Sequence, residues 1–243
     1  MQSSIAISGN DDRWFLINAS PDLPRQIESA SKLQPRPVSL RNSPIAGVFL
    51  TNADLDHTLG LLLMRQQEMP MVVYANNQTQ AALGWLSLVL QPFGGIEWRT
   101  TSGEFPSLGS GIAFRAIELG KSLAFQFRDE ISGASVLIAP AVGQVTDELR
   151  DAIHHTDVVL FDGTFWNNDE LRAVRPGART AREMNHWPIS EGSLDLLRQA
   201  PARRKIYTHI NNTNPILSPG SLERSTVEQA GLEIARDGLE IIL

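Results

Sequence analysis

In four segments of this chain a regular element stops and is followed at once by acidic, histidine or asparagine residues: Val48 to Gly60, Val159 to Trp166, Lys205 to Pro215 and Arg179 to Pro188. No other feature constrains the fold as tightly. A buried strand is a rigid support, and groups just past its carboxyl end are aimed by it, which is how α/β folds build sites. The intervening sequence supplies the material. With 42% hydrophobic and 20% charged residues over 243 positions, the chain can bury a core of one sizeable α/β domain. No linker, repeat or low-complexity tract divides it, so a single domain over residues 1–243 is expected.

Charge and cysteine narrow the chemistry. A net charge of −6 argues against a nucleic-acid partner held by bulk electrostatics. There is no cysteine, which excludes disulfides, thiolate catalysis, iron–sulfur clusters and a Cys-bound structural zinc. Any metal must be held by His, Asp, Glu, Asn, backbone or water, and only five histidines are present. The start of the chain has no basic region followed by an apolar stretch. The densest apolar run, Leu59 to Met64, is too short to span a bilayer. A cytoplasmic protein with no membrane partner is expected.

Periodicity gives the elements. Ile5 to Ser8 and Trp14 to Ile17 read as a hairpin turning at the Gly9-Asn10 step. A helix is expected over Leu23 to Leu33, then a connection punctuated by Pro35, Pro37 and Pro44. A buried strand at Ala46 to Leu50, a helix from near Asp56, a strand at Met71 to Tyr74 and a helix over Gln78 to Leu90 follow. The short alternating runs Ile96 to Trp98, Ile112 to Ile117, Leu123 to Phe127 and Val136 to Ile138 read as a β-meander. Beyond it come helices near Asp147 to His155, Ala178 to Asn185, Glu191 to Gln199 and Leu222 to Ala230, with strands at Val158 to Phe161, at Lys205 to Tyr207 and at the C-terminus. The pattern suggests two sheets between helices.

Each of the four segments has a plain reading beside the chemical one. Asp56 and His57 are adjacent on a turn into a helix and can reach one point; Asp54, slightly earlier, can join them or orient His57. Helix capping accounts for Asp54 or Asp56 but not for His57. Asp162, directly after a strand and before Gly163, suits a metal ligand or, equally, a cap for loop amides. His209 lies among Asn211, Asn212 and Asn214, a setting that packing alone explains poorly. His186 follows Arg179 and Arg182: it can move protons while the arginines grip a carboxylate, or it can simply end a surface helix favourably. His154 and His155 fit the second description and carry no functional assignment.

The loop Thr51 to Gly60 resembles the metallo-β-lactamase superfamily motif Thr-His-x-His-x-Asp-His-x-x-Gly. Asn52 and Asp54 stand in place of the two leading histidines, and Asp56, His57 and Gly60 are kept. Thr208-His209 matches a later strand-terminal Thr-His of the superfamily. The similarity is closest to the coenzyme PQQ synthesis protein B family. It is carried by Gln2 to Ala6, Asn18 to Asp22, Asp56-His57-Thr58, Ala139-Pro140, Gly143-Gln144-Val145, Asp162-Gly163-Thr164, Arg182-Glu183-Met184 and His209 to Pro215, in the same order. Two features differ. The family opens with a Gly-rich strand and a Cys-rich zinc segment, after which this chain starts, and its longer middle loop is here only Leu119 to Ser122.

The resemblance implies an α/β fold of the metallo-β-lactamase-like αββα sandwich type and a role in pyrroloquinoline quinone (PQQ) biosynthesis. The family has been described as an iron-dependent oxygenase hydroxylating the tyrosine ring of a crosslinked Glu–Tyr precursor, and also as a carrier of PQQ. Its metal-site residues fall on Asp56, His57, Asp162 and His209, with His186 close by. Two imidazoles and one or two carboxylates suit one divalent metal with open positions; this is the ligand logic of Fe(II) oxygen chemistry, and zinc also binds such a set. The leading expectation is thus an iron oxygenase. In it Asp56, His57, Asp162 and His209 hold the metal, and His186 with Asp54 forms the catalytic pair. Arg179, Arg182, Asn211, Asn212 and Asn214 position a small polycarboxylate precursor that reacts with O2. A non-catalytic carrier and a mononuclear hydrolase are the alternatives, and a homodimer is the candidate assembly.

Overall fold

The computed structural model describes residues 1–9, 11–35, 42–64, 69–101 and 103–243. Asn10, at the expected hairpin turn, and Pro37 lie outside the described residues. The chain forms two compact units, Met1–Ala113 and Phe114–Leu243.

The first unit is built on a five-stranded sheet in the order β1-β2-β3-β4-β5. β1 (Ile5–Ser8) pairs antiparallel with β2 (Trp14–Ile17), as the hairpin pattern predicts. After α1 (Leu23–Ser29), β3 (Ile45–Phe49) lies parallel to β2. The short helix α2 (Leu55–Thr58) runs into a 3-10 turn over Leu59–Leu63. β4 (Met71–Ala75) is followed by α3 (Asn77–Ala82), α4 (Gly84–Leu90) and β5 (Ile96–Thr100), with β3, β4 and β5 all parallel. β3 and β4 are nearly continuous apolar runs because both faces of a parallel sheet are covered. Leu16, Val48, Leu50, Leu61, Val73 and Leu86 form the core of this unit.

Three expectations are corrected here. The helix from Leu23 ends at Ser29, because Ala30 is extended, and only a 3-10 turn over Ser31–Leu33 follows. The helix over Gln78 to Leu90 is two helices, broken at Leu83 just before Gly84. Ile96 to Trp98 is not part of the meander: β5 belongs to the first sheet, with Met71 opposite Ile96. An edge strand with one solvated face alternates like a meander strand, so alternation alone cannot say which sheet it joins.

The second unit carries a six-stranded sheet in the order β11-β10-β9-β8-β7-β6. β6 (Ile112–Glu118), β7 (Leu123–Asp129) and β8 (Ser135–Ala139) form the meander, and β7 and β8 pair antiparallel. Helix α5 (Asp147–His154) then leads to β9 (Val158–Asp162), and α6 (Glu170–Val174) and α7 (Ser193–Gln199) lead to β10 (Arg204–Thr208). After α8 (Leu222–Gln229), β11 (Glu233–Ile234) closes the sheet. β8, β9, β10 and β11 are mutually parallel, so the carboxyl ends of β8, β9 and β10 lie side by side. That alignment positions the site.

The helix expected over Ala178 to Asn185 is absent. A 3-10 turn over Arg182–Met184 stands there, ended by Asn185 at φ 66°, and the preceding helix is instead α6. Pro176-Gly177 breaks the helical run that the cationic composition suggested.

Leu137, Leu149, Ile153, Val159, Phe161, Leu197 and Tyr207 form the core of the second unit. Leu149 is fully buried on α5. Replacing it by Ala is expected to lower the urea-unfolding free energy by about 2–5 kcal/mol without changing the metal content of the folded protein.

Candidate metal centre

The centre of the second unit grows from the end of β9. Asp162 is its last residue, 1% exposed, and faces Thr208 of β10 in the parallel register. Four bonds satisfy its carboxylate. Oδ2 accepts from the backbone N–H of Val142, past the end of β8, at 2.9 Å and lies 2.8 Å from His186 Nδ1. Oδ1 accepts from the Thr164 amide at 3.0 Å and from the Thr164 hydroxyl at 2.6 Å. Burial opposes ionisation of Asp162, but the neighbouring imidazoles of His186 and His209, with the Thr164 bond, hold its carboxyl below the ordinary aspartate value.

Thr164 gathers both histidines. Its hydroxyl is 2.8 Å from His209 Nδ1 and 3.1 Å from His186 Nδ1. A hydroxyl has one proton to give, and the 2.6 Å contact to Asp162 claims it. Thr164 then accepts from His209 Nδ1–H, while His186 Nδ1–H points at Asp162 Oδ2. Both rings are thereby anchored through Nδ1. They stack at a centroid distance of 5.4 Å, and Phe165 meets His186 edge-on at 5.8 Å.

Backbone conformation sets these side chains in place. His209 has φ 55° and Asn185, just before His186, has φ 66°, both in the left-handed region that side chains rarely occupy. The Asn185 amide donates to Ser122 Oγ at 3.3 Å, and Ser122 donates to the Ala141 carbonyl at 2.6 Å. The short turn between β6 and β7 thus braces the approach to His186. Gly163 lets the loop after β9 pass close to β10: a Cβ there would lie 2.9 Å from Tyr207 Cβ and 3.0 Å from the Thr208 carbonyl.

The first unit holds its own polar set past β3. His57 is 1% exposed, and its Nδ1 lies 2.6 Å from Asn52 Oδ1 and 3.2 Å from Thr51 Oγ1. Because Asn52 Nδ2 donates to Asp54 Oδ2 at 2.7 Å, its Oδ1 is the acceptor facing the ring, and this histidine too is held through Nδ1. Asp56 Oδ2 is 3.7 Å from His57 Nε2. Asn18, at φ 62°, accepts from the Thr51 amide at 2.9 Å and fixes the loop from β2. Gly60 explains itself by contact: a Cβ there would fall 2.4 Å from the Ser20 carbonyl oxygen.

The structure thus brings Asp162, His186 and His209 together in the second unit, with one potential ligand atom from each lying within 4.8 Å of the others. In the first unit it places Asp56 beside His57, and Asp54 reaches His57 through Asn52. Arg179 is exposed, and Arg182 pairs with Glu191 at 3.1 Å. Asn211 Nδ2 donates to Thr213 Oγ1, Asn212 is exposed, and Asn214 is buried, giving its amide to the Gly163 carbonyl and accepting from Ile216 N–H. Three residues were missed in sequence. Thr164 and Asn18 carried no signal beyond their family motifs. Glu170 is buried on α6, accepting from Trp166 N–H and from Thr213 Oγ1, each at 2.6 Å; burial pushes its carboxyl up.

Two imidazoles and a carboxylate, with one potential ligand atom from each gathered within 4.8 Å, are a donor set that suits one divalent metal with open positions. The β-lactamase superfamily domain model matches residues 13–210. Coenzyme PQQ synthesis protein B of Bradyrhizobium diazoefficiens is 36% identical over 272 residues, an alignment that takes in 100% of this chain and 88% of that protein. Its counterpart in Methylococcus capsulatus is 34% identical over 271 residues with the same coverage. The crystal structure of zinc-bound PqqB from Methylobacterium extorquens superposes with a TM-score of 0.91 at 30% identity, covering 100% of this chain and 88% of that one. A diphosphatase from the PhnP family shares the fold at a TM-score of 0.72 and 18% identity. The fold is the α/β, metallo-β-lactamase-like one that the motifs imply, and among the described residues no helix is long and apolar enough to cross a membrane.

Two outcomes follow from the geometry. Thr164→Val removes the group that Asp162 and His209 share, and affinity for Zn2+ in a competitive chelator titration should fall about 10–100-fold. The lowered pKa of Asp162 means that its stabilising contribution is complete above the ordinary aspartate value and is lost as pH falls through the depressed native value. In urea unfolding of the metal-free protein, Asp162→Asn should therefore flatten the acid side of the stability curve and leave a constant deficit at neutral pH.

Proposed function

Because the chain belongs to the coenzyme PQQ synthesis protein B family of the β-lactamase superfamily, we propose that it acts in PQQ biosynthesis as a mononuclear non-haem iron oxygenase. Its substrate in this reading is the Glu–Tyr derived precursor, whose tyrosine ring it hydroxylates. The observation that carries the proposal is the Asp162, His186 and His209 cluster, two nitrogen donors and one oxygen donor on the ends of rigid strands and a braced turn. A bound Fe(II) would supply O2 activation; donors of these types also accept zinc, and the Methylobacterium extorquens relative is zinc-bound.

The chain's own residues do the rest. Asp162 holds a proton at His186 Nδ1 and so fixes that ring's tautomer; Thr164 does the same for His209. Asp56 and His57 form the donor pair of the first unit, with Asp54 acting on His57 through Asn52. The exposed guanidinium of Arg179 and that of Arg182 offer the planar fork that carboxylates match. Asn211 and Asn212 follow His209 after Ile210 and present amides to a polar substrate.

Elemental analysis of anaerobically purified protein, followed by O2 uptake with the precursor, tests this reading. Stoichiometric iron that is lost in His209→Ala and His186→Ala, with precursor-dependent O2 uptake, is the expected result. His57→Ala reports in the same assay whether the first unit's pair contributes to metal retention. Iron content unchanged by these substitutions, or no O2 uptake by the iron-loaded protein, would overturn it.

A further inference from the structure

β5 is the last strand of the first sheet, paired with β4 and with no other strand among the described residues. The Gly95 carbonyl accepts from Met71 N–H, and Thr101 N–H donates to the Ala75 carbonyl. In a parallel ladder each residue turns its N–H and C=O to one side and the next residue to the other. Odd-numbered residues of β5 therefore face β4, and Ile96, Trp98 and Thr100 direct their backbone groups outward. Such a row is a template for another strand, which proteins usually blunt with proline or a bulge. Ile96–Thr100 contains no proline, and its register against β4 is unbroken.

The side chains on this strand are self-complementary. Glu97 and Arg99 flank Trp98, each half-exposed, and pair with each other at 2.8 Å. Two copies of β5 can run antiparallel with their outward groups facing in three well-overlapped registers. One centred on Glu97 sets Glu97 against Glu97, and one centred on Arg99 sets Arg99 against Arg99. Only the register centred on Trp98 places Glu97 opposite Arg99 on both sides of the axis, with Ile96 opposite Thr100. Like charges directly opposed are destabilising and unlike ones stabilising.

The helix beside this edge is apolar on its outer face. Trp98 Nε1 donates to Ser87 Oγ of α4 at 2.8 Å, tying the helix to the centre of β5. On α4 and just beyond it, Leu88 is 80% exposed, and Trp85, Val89 and Phe93 are between 43% and 50% exposed. An apolar patch of this kind marks an interaction surface.

The geometry points to β5 and α4 as the interface between two copies of this chain, with the β5 strands antiparallel and Trp98 on the twofold axis. The two five-stranded sheets join into one, and the two copies of α4 bring Trp85, Leu88 and Val89 toward their equivalents. None of these residues is one named in the metal centre, and the interface does not depend on the oxygenase reading.

Sedimentation of the full chain over a wide concentration range should show a monomer–dimer equilibrium. Arg99→Glu or Glu97→Arg alone should raise its dissociation constant about a hundredfold or more, and the two together should restore it, because only this register exchanges the pair. The cysteine-free chain allows a second measurement. Mixed Glu97→Cys and Arg99→Cys proteins should form a disulfide-linked heterodimer, while neither alone crosslinks. Circular dichroism checks the folding of each variant, and the cysteine pair decides the matter if the charge reversals unfold. A monomer at every concentration, a dimer indifferent to both reversals, or a mixture that fails to crosslink would overturn the proposal.

Discussion

The second unit is organised around one buried carboxylate. A charge at the position of Asp162, 1% exposed, is tolerable only if its oxygens are hydrogen-bonded. The structure meets that need with Val142 from the end of β8, Thr164 from its own loop and His186 from the braced turn. That requirement fixes the loops after β8 and β9 and the turn at Asn185 relative to each other, and His209 joins through Thr164. The side chains that can hold a metal are therefore also those that close the polar network of the core.

The same device recurs in the first unit with different residues. His57 is held through Nδ1 by Asn52, as His186 is by Asp162 and His209 by Thr164. Asn52 occupies a position at which the superfamily motif has a histidine. In place of a possible ligand it provides an orienting acceptor, itself steadied by Asp54. The departure from the motif removes donors, yet it leaves the remaining imidazole with a defined tautomer.

Much of this was legible in the sequence because buried parallel strands write themselves as apolar runs and their ends as sudden polarity. β3, β4, β9 and β10, with Asp162, His57 and His209 just inside or past them, were found that way. β5 reads as a meander strand yet joins the first sheet, since alternation records one wet face and says nothing of the neighbouring strand. The stretch Ala178 to Asn185 looked helical from its composition, but a left-handed Asn185 ends the turn, and that conformation has no reliable signature outside glycine. Thr164 and Asn18 stand out only as members of family motifs, and Glu170 not at all. Their roles come from hydrogen bonds made across tens of residues, from Asn18 to Thr51 and from Glu170 to Thr213, which no local pattern encodes.

Asn18, Asn185 and His209 are the non-glycine residues with positive φ among those described, and each is bonded into a histidine-bearing segment or carries the imidazole itself. Glycine would relax the backbone at every one of them and in each case would delete the polar group that the conformation exists to aim. These positions thus answer to two independent selections, one on dihedral angle and one on hydrogen-bonding capacity. Few amino acids satisfy both. Drift in this protein should accordingly be slow at three points far apart in the chain, for a reason that neither burial nor proximity to a reacting atom would reveal.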